Sequence, residues 1–369
     1  MDRGIFVSTL ALLDKVTVYG FKIVTINNMR DLVRRNIVTI KQGVRLYCRT
    51  KDNRYFSSIK IEATEAFDYF FYGITPDGME YGALELSVPD RAGYHNLYGI
   101  TAKEYCDQLQ EAAIFLEVEY GIILDFSDAR YKKMEINKTI RLDHPFDTYQ
   151  RPLTLLMYLL PGTLRLGGEH DVYRKDADHN VLPERRVKTY YKSSGKRGLT
   201  IKIYDKGEQL RAVHNIELNG NFLRFEITLN CPDKIKKSLG SNRIRDIDDA
   251  AIKRYMDDFI IQNLINPYEA FKDKEKKLIK RMLRKNYKPA SRTWVRNTLL
   301  EVCNMEIDKK LPVILDLKEL IEMLSILPFK TRQSRYNARK NFEAASKEHM
   351  PVLCRNDNEK YTELLRKLL

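Results

Sequence analysis

The chain has 369 residues, of which 43% are hydrophobic and 31% are charged, which is typical of a globular protein with room for two cores. Its apolar runs all fall short of the about 18 residues that a membrane-spanning helix needs, so no membrane span is expected. The 64 Lys and Arg outnumber the 50 Asp and Glu and give a net charge of +14. This excess favours a polyanionic partner, with nucleic acid first and an anionic membrane surface second.

Cysteine usage and the N-terminal residues indicate the compartment. The five cysteines are widely spaced and form no Cys-x-x-Cys pair, which favours reduced thiols over a disulfide framework or a zinc site. The apolar run Ile5–Leu13 follows Asp2, ends at Asp14 and has no small-residue cleavage pattern, so we interpret it as structural. A cytoplasmic location is therefore expected.

The first 230 or so residues predict a mixed α+β domain with a largely antiparallel sheet. Helical spacing of apolar residues predicts an amphipathic helix at Thr101–Val118, and Pro152–Leu160 is interpreted as a short buried helix. The Thr75–Gly78 segment is typical of a turn between strands. The predicted strands are Lys15–Ile26, Gly43–Cys48, Tyr55–Ala63, Ala66–Tyr72, Gly82–Val88, Lys132–Arg141, Lys188–Tyr191, Leu199–Asp205 and Phe222–Leu229.

After Pro232 helical periodicity replaces strand patterns and predicts an all-helical, basic second domain. The expected domains are therefore 1–235 and 236–369, the second binding DNA or a protein partner. The predicted helices are Ile247–Leu264, Pro267–Arg284, Ser291–Val302, Leu317–Leu324, Ser334–Lys347 and Glu359–Leu369.

Within the helical part, residues 271–290 hold nine Lys or Arg, against Asp273 and Glu275 alone. Such a run is either a solvated helix face or a surface that tracks phosphates. The residues that would contact DNA in the second case are Lys276, Lys277, Lys280 and Arg281.

Four predicted strands of the first domain alternate between apolar residues and residues with ionisable groups. If these strands pair, one face of the sheet is core and the other collects Glu85, Glu135, Tyr204, Lys206, Arg224 and Glu226. Carboxylates near a phenol could hold a hard divalent ion such as Mg²⁺ or Mn²⁺. The same alternation is also produced by a solvated face with cross-strand ion pairs, and the pattern does not separate the two.

Tyr204 lies in the strand-like run Leu199–Asp205, with Lys206 two positions later on the same expected strand face. A cation at that place is expected to lower the phenol pKa from its ordinary value of about 10. A phenolate on an open basic face could attack a phosphodiester and hold DNA covalently. The alternative is an edge strand whose tyrosine packs on lysine stems.

A loop follows the strand that carries Glu85, because Pro89, Gly93 and Gly99 interrupt the strand pattern. It places His95 close to Glu85 in sequence and just before the predicted helix. A loop histidine is either a surface residue or a metal ligand. Because Glu85 is near in sequence and Glu135 is on an expected neighbouring strand, a metal-ligand role for His95 is a candidate.

Four segments together resemble the replication initiator endonucleases of the filamentous-phage gene II type, which begin rolling-circle replication by nicking one strand. They occur in the family's order, across roughly residues 10–235. One departure is Glu135, where the family pattern has Asp, and another is the pair Asp90-Arg91 in the loop. The segments are Leu84–Pro89 with Gly93–Gly99, Met134–Asn137, Ile203–Leu210 and Leu223–Ile227.

The resemblance implies that Tyr204 attacks a specific phosphodiester, forms a 5′-phosphotyrosine and frees a 3′-OH, and that the enzyme later rejoins the strand. It implies metal ligands at His95, Glu135 and Glu85, and a Lys206 that steadies the phenolate. Single-stranded and duplex origin DNA are the implied partners, with a host helicase and polymerase, in the cytoplasm of a bacterial host. Further implied DNA contacts are Arg224, Lys202 and Arg91, with supporting roles for Asn96, Glu208 and Glu226.

Other functions remain open on the sequence. A plasmid-type initiator or a conjugative relaxase uses the same chemistry, and a basic DNA-binding protein without catalysis fits the charge. Tyr190 and Tyr191 are candidate second nucleophiles, although 22 tyrosines make an adjacent pair expected by chance. A tyrosine recombinase is disfavoured because no histidine is followed by arginine three positions later.

Overall fold

The structure is a computed structural model of the whole chain. The residues that it describes are 11–39, 58–74, 79–87, 97, 99–160, 163–167, 170–175, 181–186, 189–194, 198–289, 293–309, 313–354 and 356–369. The chain forms two compact units, one of residues 1–141 with 193–258 and the other of residues 142–192 with 259–369.

The first unit is built on an antiparallel sheet in which the order of its eight strands is β3-β4-β5-β6-β1-β8-β14-β13. A separate two-stranded sheet pairs β2 with β7. The strands of this unit are β1 (Leu12–Tyr19), β2 (Lys22–Ile26), β3 (Val38–Thr39), β4 (Ser58–Ile61), β5 (Tyr69–Ile74), β6 (Glu80–Ser87), β7 (Ile122–Asp125), β8 (Arg130–Leu142), β13 (Leu199–Asp205) and β14 (Asn221–Leu229).

The helices of the first unit begin and end at recognisable signals. Helix α2 starts at a capping box in which Thr101 and Glu104 bond each other's backbone N–H, and it ends at Gly121, which is left-handed. Its Tyr105 packs on Tyr131 of β8, with the ring centroids 5.8 Å apart. The helices are α1 (Met29–Arg34), α2 (Ala102–Tyr120), α4 (Lys206–His214), α5 (Pro232–Leu239) and α6 (Asp249–Ile260).

A β-bulge lies at the centre of the sheet. Leu13 pairs with Ile136 and Val16 pairs with Met134, so Asp14 and Lys15 of β1 together stand opposite one residue of β8, Glu135. A bulge of this kind re-aims side chains and is common beside functional sites. At this bulge Asp14 contacts Arg224 of β14, the strand beyond β8, and Lys15 contacts Glu85 of the adjoining β6.

The second unit is mainly helical. Trp294, Leu299 and Phe342 belong to a buried apolar cluster that joins its helices α7 to α10. Strand β12 pairs with β9, and β10 pairs with β11. The elements are α3 (Gln150–Leu159), β9 (Thr163–Gly167), β10 (His170–Lys175), β11 (Val181–Arg186), β12 (Thr189–Ser194), a π-helix (Ile261–Ile265), α7 (Asn266–Asn286), α8 (Thr293–Lys309), α9 (Leu317–Met323), α10 (Arg332–His349) and α11 (Asp357–Leu368).

The early segment of this unit is fixed to the C-terminal helix by polar contacts. The Tyr149 hydroxyl donates to Glu363 at 2.6 Å, and Arg151 donates to Asp357 at 2.8 Å. Residues 142–192 therefore belong to the same compact unit as residues that follow them by some 200 positions in the chain.

The predicted fold class is confirmed, because an antiparallel sheet dominates the N-terminal part and helices dominate the C-terminal part. Two details differ. The predicted strand Lys15–Ile26 is two strands separated by Gly20, whose φ of 77° breaks the extended backbone. The two units also do not follow the boundary expected at residue 235, since α5 and α6 belong to the first unit and residues 142–192 to the second. In the described part of the chain, the helices are all too short or too polar to cross a membrane.

Candidate active site

Tyr204 and Glu226 are hydrogen-bonded partners on the polar face of the sheet. Tyr204 lies opposite Arg224 in the β13–β14 register, and Lys202 lies opposite Glu226. The Tyr204 hydroxyl donates to Glu226 Oε1 at 2.5 Å, and Lys202 Nζ approaches Glu226 Oε2 at 3.3 Å. The phenol is therefore held by a carboxylate that a lysine also neutralises.

The structure corrects the expectation that a nearby cation lowers the pKa of Tyr204. Burial raises the pKa of this hydroxyl above its ordinary value, and the Glu226 carboxylate raises it further, although Arg224 opposes the rise. The phenol is therefore protonated in this state, and its hydroxyl is in contact with the Glu226 carboxylate that accepts its hydrogen bond.

Lys206 does not continue the strand as expected. Strand β13 ends at Asp205, whose side chain accepts a hydrogen bond from Glu208 N at 2.9 Å and caps helix α4. Lys206 is the first residue of that helix, and it is buried. Its ammonium still lies 5.9 Å from the centroid of the Tyr204 ring and donates to Gln209 at 2.6 Å. Lys206 therefore lies near Tyr204 from the first turn of a helix and not from the shared strand face that was expected.

Arg224 is completely buried and joins three segments of the first unit. Its guanidinium donates to Asp14 of β1 at 2.8 Å, to Thr139 of β8 at 3.0 Å and to the Leu97 carbonyl oxygen at 2.9 Å. A side chain held in this way organises the site, whereas the phosphate contact expected for Arg224 would require it to exchange protein acceptors for DNA. That contact stays a prediction.

Asp14 is the buried acid of this network. Burial raises its carboxyl pKa from 3.8 to about 6, with Glu226 and Glu135 adding to the rise and with Arg224 and Lys206 opposing it. The Asp14 pKa thus depends on the charges of Glu226, Glu135, Arg224 and Lys206. Removing one of these charges is expected to change the protonation of Asp14.

The two predicted acidic ligands each contact a lysine. Glu85 lies 2.6 Å from Lys15 Nζ and accepts a hydrogen bond from Thr17 at 3.0 Å. Glu135 lies 3.2 Å from Lys133 Nζ. Both carboxylates belong to the same polar face, as expected, but each is balanced by a cation of the protein.

The predicted metal-ligand set is incomplete in the described part of the chain. Within the described ranges, no three His, Cys, Asp or Glu side chains converge as a metal site would need. The predicted ligand His95 lies outside the described residues, as do Asn96 and Arg91. Leu97, two positions after His95 in the chain, contacts Arg224. The described residues alone therefore form no complete ligand set for a divalent ion, and the assignment of Glu85, Glu135 and His95 stays a prediction.

Gly99 and Asn137 meet at close range beside this network. A Cβ on Gly99 would lie 2.4 Å from the Leu13 carbonyl oxygen and 2.8 Å from Asn137 Nδ2. The buried Asn137 amide nitrogen has no hydrogen-bond partner among the described residues. The backbone at Gly99 is tied to β1 by two hydrogen bonds between Leu13 and Ile100, at 2.8 and 2.9 Å. Only glycine fits this approach without a shift.

The remaining predicted residues are spread over both units. Lys277 and Arg281 of α7 are exposed and Lys280 is half-buried, whereas Lys276 pairs with Glu319 at 3.2 Å. Glu208 forms an ion pair with Arg211 on α4. The basic run of α7 is therefore partly neutralised within the fold, and its DNA contacts stay a prediction.

Tyr190 and Tyr191 belong to the second unit. Tyr190 is fully buried, and its hydroxyl donates to Gln150 Oε1 at 2.9 Å. Burial raises its pKa to about 12, so this hydroxyl is held as a protonated structural group. The burial of Tyr190 favours the interpretation that the two tyrosines are adjacent by chance. Tyr191 is half-buried.

Sequence reasoning predicted part of β1 as a strand but missed its contribution to the site. It weighed four alternating strands but not β1, whose alternation is broken by the bulge at Asp14 and Lys15. A signal was present, because two charged residues interrupt the apolar run from Leu12 to Val18. Thr139 and Asn137 were also missed, since neither carries a charge.

The polar face of the antiparallel sheet thus holds a half-buried Tyr204 that is hydrogen-bonded to the buried Glu226. No family model and no curated protein matches the chain. Among solved structures, a rolling-circle replication initiator protein from Geobacillus stearothermophilus has a TM-score of 0.27 and 10% identity, over 69% of this chain and 85% of that one. The di-domain ARO/CYC BexL from the BE-7585A biosynthetic pathway has a TM-score of 0.18 and 11% identity, over 69% and 95%. Likenesses this weak carry no argument about function.

Proposed function

We propose that this chain is a DNA strand-transfer endonuclease that initiates rolling-circle replication and uses Tyr204 as its nucleophile. The observation that carries the proposal is the 2.5 Å hydrogen bond from the Tyr204 hydroxyl to Glu226 on a sheet face rich in cations. The ordered resemblance of four sequence segments to initiator endonucleases supports the same assignment. Arg224 and Lys206 are the other cations next to the pair.

Glu226 is the group that takes the proton. As the phenol oxygen bonds to phosphorus, its proton passes to Glu226, the bond from phosphorus to the 3′ oxygen breaks, and that oxygen leaves with a proton from water. A 5′-phosphotyrosine and a free 3′-OH result. The reverse reaction rejoins the strand, because the energy of the phosphodiester is kept in the covalent bond.

Charges already in place act on both partners of this transfer. Lys202 at 3.3 Å and Arg224 at 3.9 Å from Glu226 hold the carboxylate in position. The Lys206 ammonium beside the Tyr204 ring favours negative charge on the phenol oxygen as it develops. Dependence on Mg²⁺ or Mn²⁺ is part of the proposal, with Glu85, Glu135 and His95 as the residues that would hold the ion; an ion there would polarise the scissile phosphate.

A covalent-trapping assay tests the proposal. The protein is incubated with Mg²⁺ or Mn²⁺ and labelled single strands that cover the replicon encoding the chain, and adducts that survive denaturation are measured. We expect an adduct with the wild type and with Tyr190→Phe, and none with Tyr204→Phe. Binding without any adduct would instead favour a DNA-binding protein that does not cleave.

The proposed dependence on a divalent metal ion is tested separately in the same assay. Chelation by EDTA is expected to abolish adduct formation, and Glu135→Ala is expected to raise the metal concentration needed for half-maximal rate. An unchanged metal requirement in Glu135→Ala would remove this residue from the ligand set.

A further inference from the structure

Helix α10 exposes an unusual surface in the second unit. Only one side of the helix packs into the fold, through buried residues that include Ala338 and Phe342. Phe342 contacts Trp294 of α8, with ring centroids 5.3 Å apart. The opposite side of the first three turns is exposed to solvent.

The charge of this surface has one sign. Between Arg332 and Phe342 the helix has four cations and no acidic residue. The first acid is Glu343, which pairs with Arg339 at 3.0 Å. The four cations are Arg332, Arg335, Arg339 and Lys340.

This distribution differs from that of α7, the helix with the longest basic run. On α7, Lys272 and Lys276 both pair with Glu319, at 3.1 and 3.2 Å, and Lys285 pairs with Glu301 at 2.7 Å. Neutralised cations of this kind bind a polyanion less strongly. Lys277 and Arg281 of α7 remain exposed, and α10 differs from α7 in that its exposed cations lie beside exposed amides and an aromatic ring.

Amides and an aromatic ring lie between the cations. Gln333 and Asn337, one turn apart and both exposed, are joined by a hydrogen bond from Gln333 Nε2 to Asn337 Oδ1 at 3.0 Å. In the described part of the chain, this bond leaves the Gln333 oxygen and the Asn337 nitrogen as an acceptor and a donor toward solvent. An acceptor beside a donor matches the N6 amine and N7 of adenine in the major groove.

Tyr336, which is 49% exposed, supports the same surface. Lys340 Nζ lies 4.9 Å from the centroid of its ring. The ring and the aliphatic stem of Lys340 present a flat contact area with a cation at its edge. The exposed side of α10 thus combines phosphate-binding cations with groups that can read base edges.

We infer that the exposed side of α10, from Arg332 to Asn341, binds the major groove of duplex DNA and reads its sequence. A single α-helix fits that groove, Asn and Gln pair with adenine, and Arg pairs with guanine. The inference names the duplex-reading site of the proposed initiator and in that respect rests on the proposed function.

Selection from random duplexes is the first test. Wild-type protein is incubated with 30-base-pair DNA duplexes carrying 20 random internal positions, and bound sequences are enriched at near-physiological salt. We expect a motif with at least one strongly preferred adenine. Gln333→Ala with Asn337→Ala is expected to remove the preference at that position while some binding remains.

Affinity for the enriched duplex is then measured by fluorescence anisotropy. Arg332→Ala with Lys340→Ala is expected to weaken binding by about tenfold or more and to flatten the salt dependence by about two units of log–log slope. The matched control is Lys103→Ala with Arg254→Ala, which removes two exposed cations from helices of the first unit. It is expected to leave affinity within about twofold. Thermal unfolding of each variant shows that all remain folded.

Several outcomes would overturn the inference. These are no duplex binding by the wild type, equal losses in the α10 and control variants, an unchanged motif after the amide substitutions, or stronger binding to duplex RNA or anionic vesicles. The adduct assay with Tyr204→Phe reports on the proposed function separately. A wild type that reads duplex DNA through α10 but forms no adduct would refute strand transfer and leave the helix assignment in place.

Discussion

At the scale of single residues, the site depends on three buried or half-buried pairs, Tyr204 with Glu226, Arg224 with Asp14, and Lys15 with Glu85. The first pair joins β13 to β14, the second joins β14 to β1 across β8, and the third joins β1 to β6, so the polar face works as one network. Because buried polar groups strengthen one another at low local dielectric, a change at one pair is expected to reach the next.

Glu226→Gln tests the proton acceptor. The amide keeps a hydrogen-bonding oxygen but is a very weak base, so adduct formation is expected to slow by about 10²- to 10⁴-fold. The rate of the variant should keep rising with pH where the wild type has levelled off, because hydroxide must then remove the phenol proton. The control Glu217→Gln neutralises an exposed carboxylate of the same unit. A slower variant with an unchanged pH profile would assign Glu226 a purely structural role.

Asp14→Asn tests the buried acid through stability. The Asp14 pKa is about 6 in the folded protein and 3.8 as its ordinary value. The folded state therefore holds the proton more tightly, and the contribution of Asp14 to the free energy of unfolding is largest below pH 3.8 and falls as pH rises to 6.

The stability advantage of the wild type over Asp14→Asn is therefore expected to shrink between pH 4 and pH 6. Urea unfolding of both proteins across that range measures the difference, in which carboxylates distant from Asp14 cancel. A difference that stays constant would show that Asp14 has an ordinary pKa.

At the scale of elements, the sequence predicted the strands that alternate and missed the irregularities between them. Alternation in β6, β8, β13 and β14 was sufficient to predict their shared polar face. The bulge at Asp14 and Lys15 depends on pairing with β8, which local pattern does not encode.

The end of β13 could have been predicted from local signals. Asp205 followed three positions later by Glu208 is typical of a helix start, and Lys206 is the first residue of α4. The structural role of Glu275 could not have been predicted in this way, because it depends on backbone groups about 40 positions away in the chain. Glu275 is buried in α7 and accepts hydrogen bonds from the N–H groups of Ile314 and Leu315, at 3.2 and 3.0 Å.

Gly99→Ala tests the close approach of the loop to β1. The new Cβ would lie 2.4 Å from the Leu13 carbonyl oxygen, a backbone atom that cannot move without β1. We expect a loss of about 1–3 kcal/mol in the free energy of unfolding. Gly207→Ala is the control, since its Cβ would meet nothing closer than 3.4 Å. Chemical denaturation of both variants measures the effect, and equal stabilities would contradict the predicted clash.

At the scale of the whole molecule, the chain passes between its units at residues 141–142, 192–193 and 258–259. Composition predicted two domains, but a linear boundary could not describe units assembled from separated segments. The contacts of Tyr149 with Glu363 and of Arg151 with Asp357 illustrate this, because each joins residues more than 200 positions apart in the chain. A pattern read over a short stretch of sequence does not reveal such contacts.

A fragment of residues 1–235 is expected not to unfold cooperatively. It would lose Asn242, whose carbonyl oxygen accepts from Tyr131 N, and Asp249, which accepts from Ala102 N at 2.6 Å. It would also expose the apolar side of α3. Residues 1–141 joined to 193–258 by a flexible linker retain these first-unit contacts and should unfold cooperatively in urea. If the fragment 1–235 unfolded as cooperatively as the linked fragment, the boundary at residue 235 would be a true domain boundary.

The order of the sheet also has a consequence for synthesis on the ribosome. Strand β14 covers one edge of β8, but the intervening segment 142–192 and β13 are translated first. At about 5–20 residues per second, that edge stays open for on the order of ten seconds on the nascent chain. An open strand edge is a template for pairing with other chains. Slow translation within residues 142–220 should therefore increase aggregation of the newly made protein, whereas slow translation after residue 229 should not.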